Sequence, residues 1–203
     1  EVVSKTPKSH PHYKQNATIL GKSIDAEFVG DKRPSFQFCA ESSFDNLGIA
    51  NTKCIYIDRS LVDICRSSHK RSENPIDKWS SEKGIEHTIL IYNASCRQII
   101  HLHDSRPDIF SSFLFPTYED VFSSPEKAIK LFEFCGIELP EDEIIAVNNF
   151  VKKSQKYVDK KNNPNDPLEM HIRKSIALLL DHSSHEHFCT ITGNHRNYLG
   201  FQP

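Results

Sequence analysis

An arginine and a serine, eight residues apart, are the side chains of this sequence best placed to bind one anion together. Arg59 lies at the end of an apolar stretch, residues 53–57, and Ser67 lies about two helical turns further on if a helix begins at once. In an open α/β sheet, ligands collect at such strand-to-helix junctions. A guanidinium group and a hydroxyl could then share one phosphate or sulfate. The alternative is a surface arginine beside a serine that only lines the helix.

Lys5 is a second candidate, in a loop rich in hydrogen-bond donors near the start of the sequence. Residues 5–12 include two prolines, which can continue neither a strand ladder nor the interior of a helix. The apolar pair Val2-Val3 precedes them and reads as a short strand, so Lys5 would lie at its carboxyl end. Lys5 or Lys8 could hold a phosphate or sulfate; the alternative is a solvated basic loop.

Three histidines and a glutamate within six residues, His182 to His187, are the only cluster that could bind zinc. His182 and His185 share a helical face that His187 does not, and no second group of ligands lies nearby in the sequence. The six cysteines are spread singly, without the C-x-x-C spacing of zinc sites and redox motifs. We therefore predict no metal site.

The length and charge of the chain exclude some classes of protein. With 203 residues it can bury one core and a small appendage, so we predict a single domain over residues 1–203. Its formal charge of −2, with acids and bases interspersed, does not provide the broad basic face of a nucleic-acid-binding protein. The sequence contains no run of about 18 apolar residues, so we predict no membrane-spanning helix.

Two apolar stretches, residues 53–57 and 113–118, read as the strands that would position the candidate site. Between them, residues 78–104 predict a long helix, because apolar side chains recur at intervals of three and four. Its inner face would hold Ile85, Ile89, Tyr92, Cys96, Ile99, Ile100 and His103. Residues 13–51 give only a poor signal, for one helix and an irregular excursion.

The best-marked helix follows the second strand. Ser124 can cap it, Pro125 suits its first position, and Gly136 would end it in the left-handed conformation. A further helix is predicted over residues 140–158.

Two N-glycosylation sequons favour the secretory pathway: Asn16-Ala17-Thr18 and Asn93-Ala94-Ser95. The even number of cysteines permits disulfides there. The cysteines on apolar stretches would otherwise behave as small hydrophobic residues. They are Cys54, Cys65, Cys96 and Cys135.

The order of these elements resembles the sulfotransferases that use 3′-phosphoadenosine 5′-phosphosulfate (PAPS). Residues 118–140, from Tyr-Glu-Asp-Val to Glu-Leu-Pro, are similar to the family's YEDL-x-x-x-P…FLG-x-x-LP stretch. Residues 54–69 resemble its 3′-phosphate segment, and residues 199–203 resemble the LGY-x-P end of carbohydrate sulfotransferases. The resemblance covers nearly the whole chain, with residues 13–51 matching poorly.

The resemblance implies an α/β fold with a parallel sheet flanked by helices, related to P-loop NTPases. It implies that Arg59 and Ser67 bind the 3′-phosphate of PAPS and that Tyr118 lies near the adenine. Lys5-Thr6 is similar to the family's Lys-Thr-His, in which the lysine lies near the sulfuryl group, so Lys5 is the candidate catalytic residue.

Three departures from the family pattern affect the expected chemistry. Pro7 replaces the histidine that is the base of cytosolic members, and Ser60-Leu61 replace the residues that usually follow the arginine. The sequence also lacks the Gly-rich loop that would hold the 5′-phosphosulfate. We expect that loop, with the first strand of the fold, to lie upstream of Glu1.

The expected function is transfer of a sulfuryl group from PAPS to a hydroxyl of a carbohydrate or protein acceptor. The resemblance places the protein in the Golgi lumen, anchored, if at all, through a part that precedes Glu1. The alternative is a sulfotransferase-like binding or structural protein that has lost catalysis.

Overall fold

The computed structural model describes residues 35–77, 80, 82–158 and 165–194. All of these belong to one unit of the chain, Ser35–Pro203. The candidate Lys5 lies outside the described residues, so the structure does not test its role. The prediction of a single domain over residues 1–203 stays a prediction for the same reason.

The described residues are mostly helical and contain a two-stranded parallel sheet, which agrees with the coarse α/β class. The helices and strands are α1 (Ala40–Leu47), β1 (Cys54–Ile55), α2 (Leu61–Ser72), α3 (Ile85–Ser105), α4 (Pro107–Phe110), β2 (Phe113–Leu114), α5 (Tyr118–Ser123), α6 (Pro125–Phe134), α7 (Glu141–Val158), α8 (Pro167–Leu179) and α9 (His182–Thr192). Short 3₁₀ helices, Phe36–Cys39 and Ile49–Asn51, flank α1. In this part of the chain, no helix combines the length and the apolar character needed to cross a membrane.

The two strands pair in parallel across a helical crossover. Cys54 lies opposite Phe113, Ile55 lies opposite Leu114, and an isolated bridge joins Asp58 to Thr117. The regular pairing is shorter than the apolar stretches predicted. Residue 118 belongs to a helix rather than to the second strand, because the Thr117 side chain accepts the amide of Asp120 and so caps α5.

Helix α3 is the centre of the core. Its buried face carries the predicted apolar residues Ile85, Ile89, Tyr92, Cys96 and Ile99, and α2, α8 and α9 pack against it. The helix begins at Ile85 rather than at residue 78, directly after Gly84. The 3.6-residue periodicity therefore predicted the face correctly and the start incorrectly.

Both ends of α6 agree with the prediction from sequence. The Ser124 hydroxyl accepts the amide of Lys127, and Pro125 is the first helical residue. Gly136 follows with φ +76°, its amide bonding Glu133 O while Ile137 N bonds Phe132 O. This pair of bonds is a Schellman motif, which favours glycine at the left-handed position.

The segment before β1 contributes to the core, which the weak sequence signal did not predict. Ala40 and Phe44 of α1 are buried. The Phe44 ring stacks on Phe113 of β2 with centroids 5.8 Å apart, and it lies 6.3 Å from the ring of Phe36. This segment therefore packs against the same strand that helps to form the candidate site.

A buried amide in the middle of α3 holds the junction between α8 and α9. Asn93 Nδ2 donates to the carbonyl of Leu179 at 2.8 Å, and the Asp181 amide donates to Asn93 Oδ1 at 3.0 Å. Both groups would otherwise be unpaired where one helix ends and the next begins. Asn93 thereby satisfies its own amide and fixes the turn between α8 and α9.

All six cysteines lie in the described part of the chain, and none forms a disulfide there. Cys65, Cys96 and Cys189 are buried, and burial raises the pKa of the Cys65 and Cys96 thiols to about 12. These thiols stay protonated at neutral pH. They act as small hydrophobic side chains, as predicted for Cys65 and Cys96.

Candidate anion-binding site

Two strand-to-helix junctions lie side by side at the carboxyl ends of the parallel strands. The Asp58 amide donates to Pro116 O at 2.9 Å, and the Tyr118 amide donates to Asp58 O at 2.6 Å. Arg59 and Tyr118 therefore each follow directly on one of the two bridged residues, Asp58 and Thr117. This is the edge at which open α/β sheets bind their ligands.

Arg59 and Tyr118 are in direct contact. The Arg59 guanidinium carbon lies 4.9 Å from the centroid of the Tyr118 ring, within the range of a cation–π interaction. Arg59 Nε is buried and makes no hydrogen bond within the described part of the chain. Leaving such a donor without an acceptor costs about 1–3 kcal/mol, and an anionic oxygen at this nitrogen would remove the cost.

Ser67 lies on the helix that follows Arg59, as predicted. Six residues separate it from Leu61, the first residue of α2, which is about 9 Å along the helix axis. Its side chain is exposed. The structure thus brings Arg59 and Tyr118 together, and it places Ser67 on the exposed surface of α2.

The other arginine of this helix is already engaged. Arg66 Nη1 pairs with Asp63 at 2.9 Å, and Nη2 pairs with the fully buried carboxylate of Glu169 at 2.5 Å. Glu169 also accepts Arg173 Nη2 at 2.7 Å. These bonds join α2 to α8, so the role of Arg66 is structural.

The start of α5 is fixed by Thr117, whose side chain caps the helix and also bonds the Asp120 carboxylate. The Thr117 hydroxyl accepts the Asp120 amide at 3.1 Å and donates to the Asp120 carboxylate. Lys127 neutralises that carboxylate from α6, with Nζ 2.8 Å from Oδ1. Behind the site, the ring of Tyr118 lies 4.6 Å from that of Phe122. The main chain of Tyr118 is therefore fixed by the start of α5, and its ring is held from the side by Phe122.

Asp58 is a site residue that the sequence analysis did not single out. The residue is 2% exposed, and its carboxylate accepts the Arg59 amide at 2.9 Å. Asn194 Nδ2 donates to the other oxygen at 3.3 Å. The sequence offered one sign of this role, because Asp58 directly follows an apolar stretch. A carboxylate that is buried there requires hydrogen-bond partners.

The histidine cluster does not form a metal site in the described part of the chain, where no three histidine, cysteine or carboxylate side chains converge. His182 and His187 are exposed. His185 is buried, with Nδ1 3.1 Å from the Tyr92 hydroxyl and Nε2 3.6 Å from Cys189 Sγ. His185 is therefore a core residue.

We expect His185 to make the fold sensitive to acid. Burial lowers the pKa of His185 below its ordinary value of 6.5; His182 lowers it further, and Glu186 opposes both. Between the folded-state pKa and 6.5, the unfolded chain binds more protons than the folded one, so stability is full above this window and is lost as the pH falls through it. Urea unfolding from about pH 7 to about pH 5 should show a smaller loss in His185→Gln than in the wild type. His187→Gln, an exposed change on the same helix, should keep the wild-type slope; equal slopes in all three proteins would contradict this assignment.

Comparisons of the chain with protein-family models, with curated proteins and with solved structures give no match in any of the three.

Proposed function

We propose that Arg59 and Ser67 bind the 3′-phosphate of PAPS, with Tyr118 near the adenine, and that the chain is part of a sulfotransferase with a P-loop-like α/β fold. The observation that carries the proposal is the Arg59 guanidinium, stacked on Tyr118 with a buried, unbonded Nε at the carboxyl ends of two parallel strands. An arginine is rarely kept in this state unless an acceptor completes its hydrogen bonds.

The chemistry of the junction suits a phosphate monoester. A guanidinium offers a planar fork of donors that matches two phosphate oxygens, and in this proposal the Ser67 hydroxyl offers one more. Tyr118 is partly exposed, and an aromatic ring can pack against a purine. A nucleotide that carries a phosphate on its ribose presents both groups at once.

The reaction proposed for this site is in-line transfer of a sulfuryl group from PAPS to a hydroxyl of a carbohydrate or protein acceptor, in the Golgi lumen. Cationic side chains would stabilise the charge that develops on the bridging and equatorial oxygens, as they do in phosphoryl transfer. Lys5 is the proposed cation near the sulfuryl group.

A second candidate is a nucleotide-binding relative without transferase activity. Asp58, the carboxylate next to Arg59 in the chain, is buried and accepts hydrogen bonds from the Arg59 amide and from Asn194, so it is not placed to take a proton from an acceptor. Pro7 also stands where cytosolic sulfotransferases have their basic histidine. Both observations concern catalysis and leave nucleotide binding unaffected.

The donor site is tested by calorimetry with 3′,5′-adenosine bisphosphate and with 5′-AMP, which lacks the 3′-phosphate. We expect the wild type to bind the bisphosphate in the micromolar range and to prefer it to 5′-AMP. Arg59→Ala should weaken bisphosphate binding at least about 30-fold and remove the preference, because truncating one partner of a buried charge-assisted pair costs about 2–5 kcal/mol. Arg59→Lys should give an intermediate affinity, since it keeps the charge and loses the fork.

The control is Arg71→Ala, which removes an exposed arginine of the same helix that pairs with Asp77. It should leave both affinities unchanged. A wild type that binds neither nucleotide would refute the donor site, and an Arg59→Ala protein that keeps its preference would place the 3′-phosphate elsewhere. Transfer of labelled sulfate from PAPS to polysaccharide and tyrosine-peptide acceptors then separates a transferase from a binding protein.

A further inference from the structure

Asp58 contacts two residues of the candidate site, Arg59 and Tyr118. Its carboxylate accepts the Arg59 amide at 2.9 Å, and its carbonyl accepts the Tyr118 amide at 2.6 Å. It is the bridge residue between the two strand ends, opposite Thr117. The position of Asp58 therefore fixes the main chain at both Arg59 and Tyr118.

The carboxylate of Asp58 is in turn bonded from the far end of the chain. Helix α9 ends at Thr192, and Gly193 adopts φ +74°, which turns the chain back toward the sheet. Asn194 follows, is buried, and donates from Nδ2 to Asp58 Oδ2 at 3.3 Å. Because α9 packs on α3, this amide ties the strand ends to the centre of the core.

We propose that Asp58 and Asn194 form a clasp that positions Arg59 and Tyr118 for anion binding. The clasp is the set of three hydrogen bonds that Asp58 accepts from the Arg59 amide, the Tyr118 amide and Asn194 Nδ2. In this proposal Asp58 and Asn194 act through Arg59 and Tyr118, so they are positioning residues. The inference rests on the proposed function, since it concerns the affinity of that same site.

The physical basis is the geometry of a buried carboxylate. Hydrogen bonds to an ionised group are short and directional, and each oxygen of Asp58 has a defined donor. If Asn194 no longer donates, the carboxylate is left with fewer donors in a buried place and must shift toward others. The Arg59 amide follows it, and the guanidinium leaves its position over Tyr118.

The clasp predicts reciprocal effects of two charge changes. Asn194→Asp places a second carboxylate against Asp58, and two buried like charges repel each other. Asp58→Asn keeps an oxygen for the Arg59 amide and removes the charge. In the double variant Asp58→Asn/Asn194→Asp, the new amide at 58 can donate to the new carboxylate at 194, so the pair is restored with its roles exchanged.

The affinity for 3′,5′-adenosine bisphosphate is the first readout, measured by calorimetry. Asn194→Asp should weaken binding at least about 10-fold and Asn194→Ala by about 3–10-fold, and the double variant should return to within about 3-fold of the wild type. Asn74→Asp, which adds the same charge on an exposed turn, is the control and should not change the affinity.

Hydrogen exchange of the Arg59 and Tyr118 amides, followed by NMR without nucleotide, is the second readout. Both amides should exchange faster in Asn194→Asp and Asn194→Ala and return to the wild-type rate in the double variant. Amides in α3 serve as a reference for global unfolding, so a variant that merely loses stability is recognised by faster exchange there.

The two proposals fail in different ways. If the wild type binds the nucleotide and Asn194→Ala and Asn194→Asp bind it equally well, the clasp is refuted and the donor site stands. If the wild type binds no nucleotide, the donor site is refuted, and the exchange rates alone decide whether Asp58 and Asn194 hold the two amides. Rescue of both affinity and exchange by the double variant supports the clasp.

Discussion

Replacing Phe44 with alanine is expected to lower the free energy of unfolding by about 3–5 kcal/mol. The Phe44 ring is fully buried and stacks on Phe113 of β2. Its removal leaves a cavity between α1 and β2 that close-packed neighbours can fill only in part. Urea unfolding with linear extrapolation measures the effect directly.

Phe38→Ala is the matched control, because Phe38 belongs to the same segment and is 45% exposed. We expect it to cost less than about 1 kcal/mol, as surface substitutions do. Similar losses for the two variants would contradict the packing of α1 described above. A large loss for Phe44 alone would show that residues 35–51 are part of the folded core.

Glu169→Ala should destabilise the protein by about 3 kcal/mol. Its fully buried carboxylate bonds Arg66 and Arg173, and its loss leaves two guanidinium groups facing each other. Removing one partner of a buried ion pair costs about 3–5 kcal/mol. The two arginines retain 20% and 24% exposure, so part of their charge can be solvated, which keeps the expected value at the lower end of that range.

Two variants separate the charge of Glu169 from its packing. Glu169→Gln keeps the shape and one acceptor, so a loss close to that of Glu169→Ala would assign the effect to the ionised carboxylate. Asp63→Asn removes the other, partly exposed partner of Arg66 and should cost less than about 1 kcal/mol. An Asp63 effect as large as that of Glu169 would contradict the distinction between the buried and the exposed pair.

Local chemistry explains which parts of the fold could be predicted from the sequence. The cap at Ser124, Pro125 at the first position and Gly136 at the end depend on residues within one helical turn of each other. The buried face of α3 follows from periodicity alone. The resemblance implied parallel pairing of the strands, and the structure contains it.

Contacts between distant residues explain most of what the sequence did not indicate. Asp58 and Asn194 are 136 residues apart, and Arg66 and Glu169 are 103 residues apart. In neither pair does the sequence around one residue predict which residue it will contact. The packing of Phe44 depends likewise on a strand that lies far along the chain.

The candidate site is intermediate between these cases. Its position at a strand-to-helix junction follows from local pattern, and the resemblance assigned Arg59 and Tyr118 to one pocket. Their stacking at 4.9 Å depends on the pairing of the two strands, which the sequence indicates only in outline. The exposed position of Ser67 depends on where α2 begins, because one residue of shift rotates a helical side chain by about 100°.

Once this fold has formed, the Asn93 side chain is not accessible to the enzyme that attaches N-linked glycans. The nitrogen that would carry the sugar is the one that donates to Leu179, and the whole sequon lies within a continuous helix, with Asn93 and Ser95 buried. A glycan at that nitrogen would separate α3 from the junction of α8 and α9. Glycosylation at Asn93 and the native packing of α3 therefore exclude each other. Whichever of folding and modification comes first prevents the other.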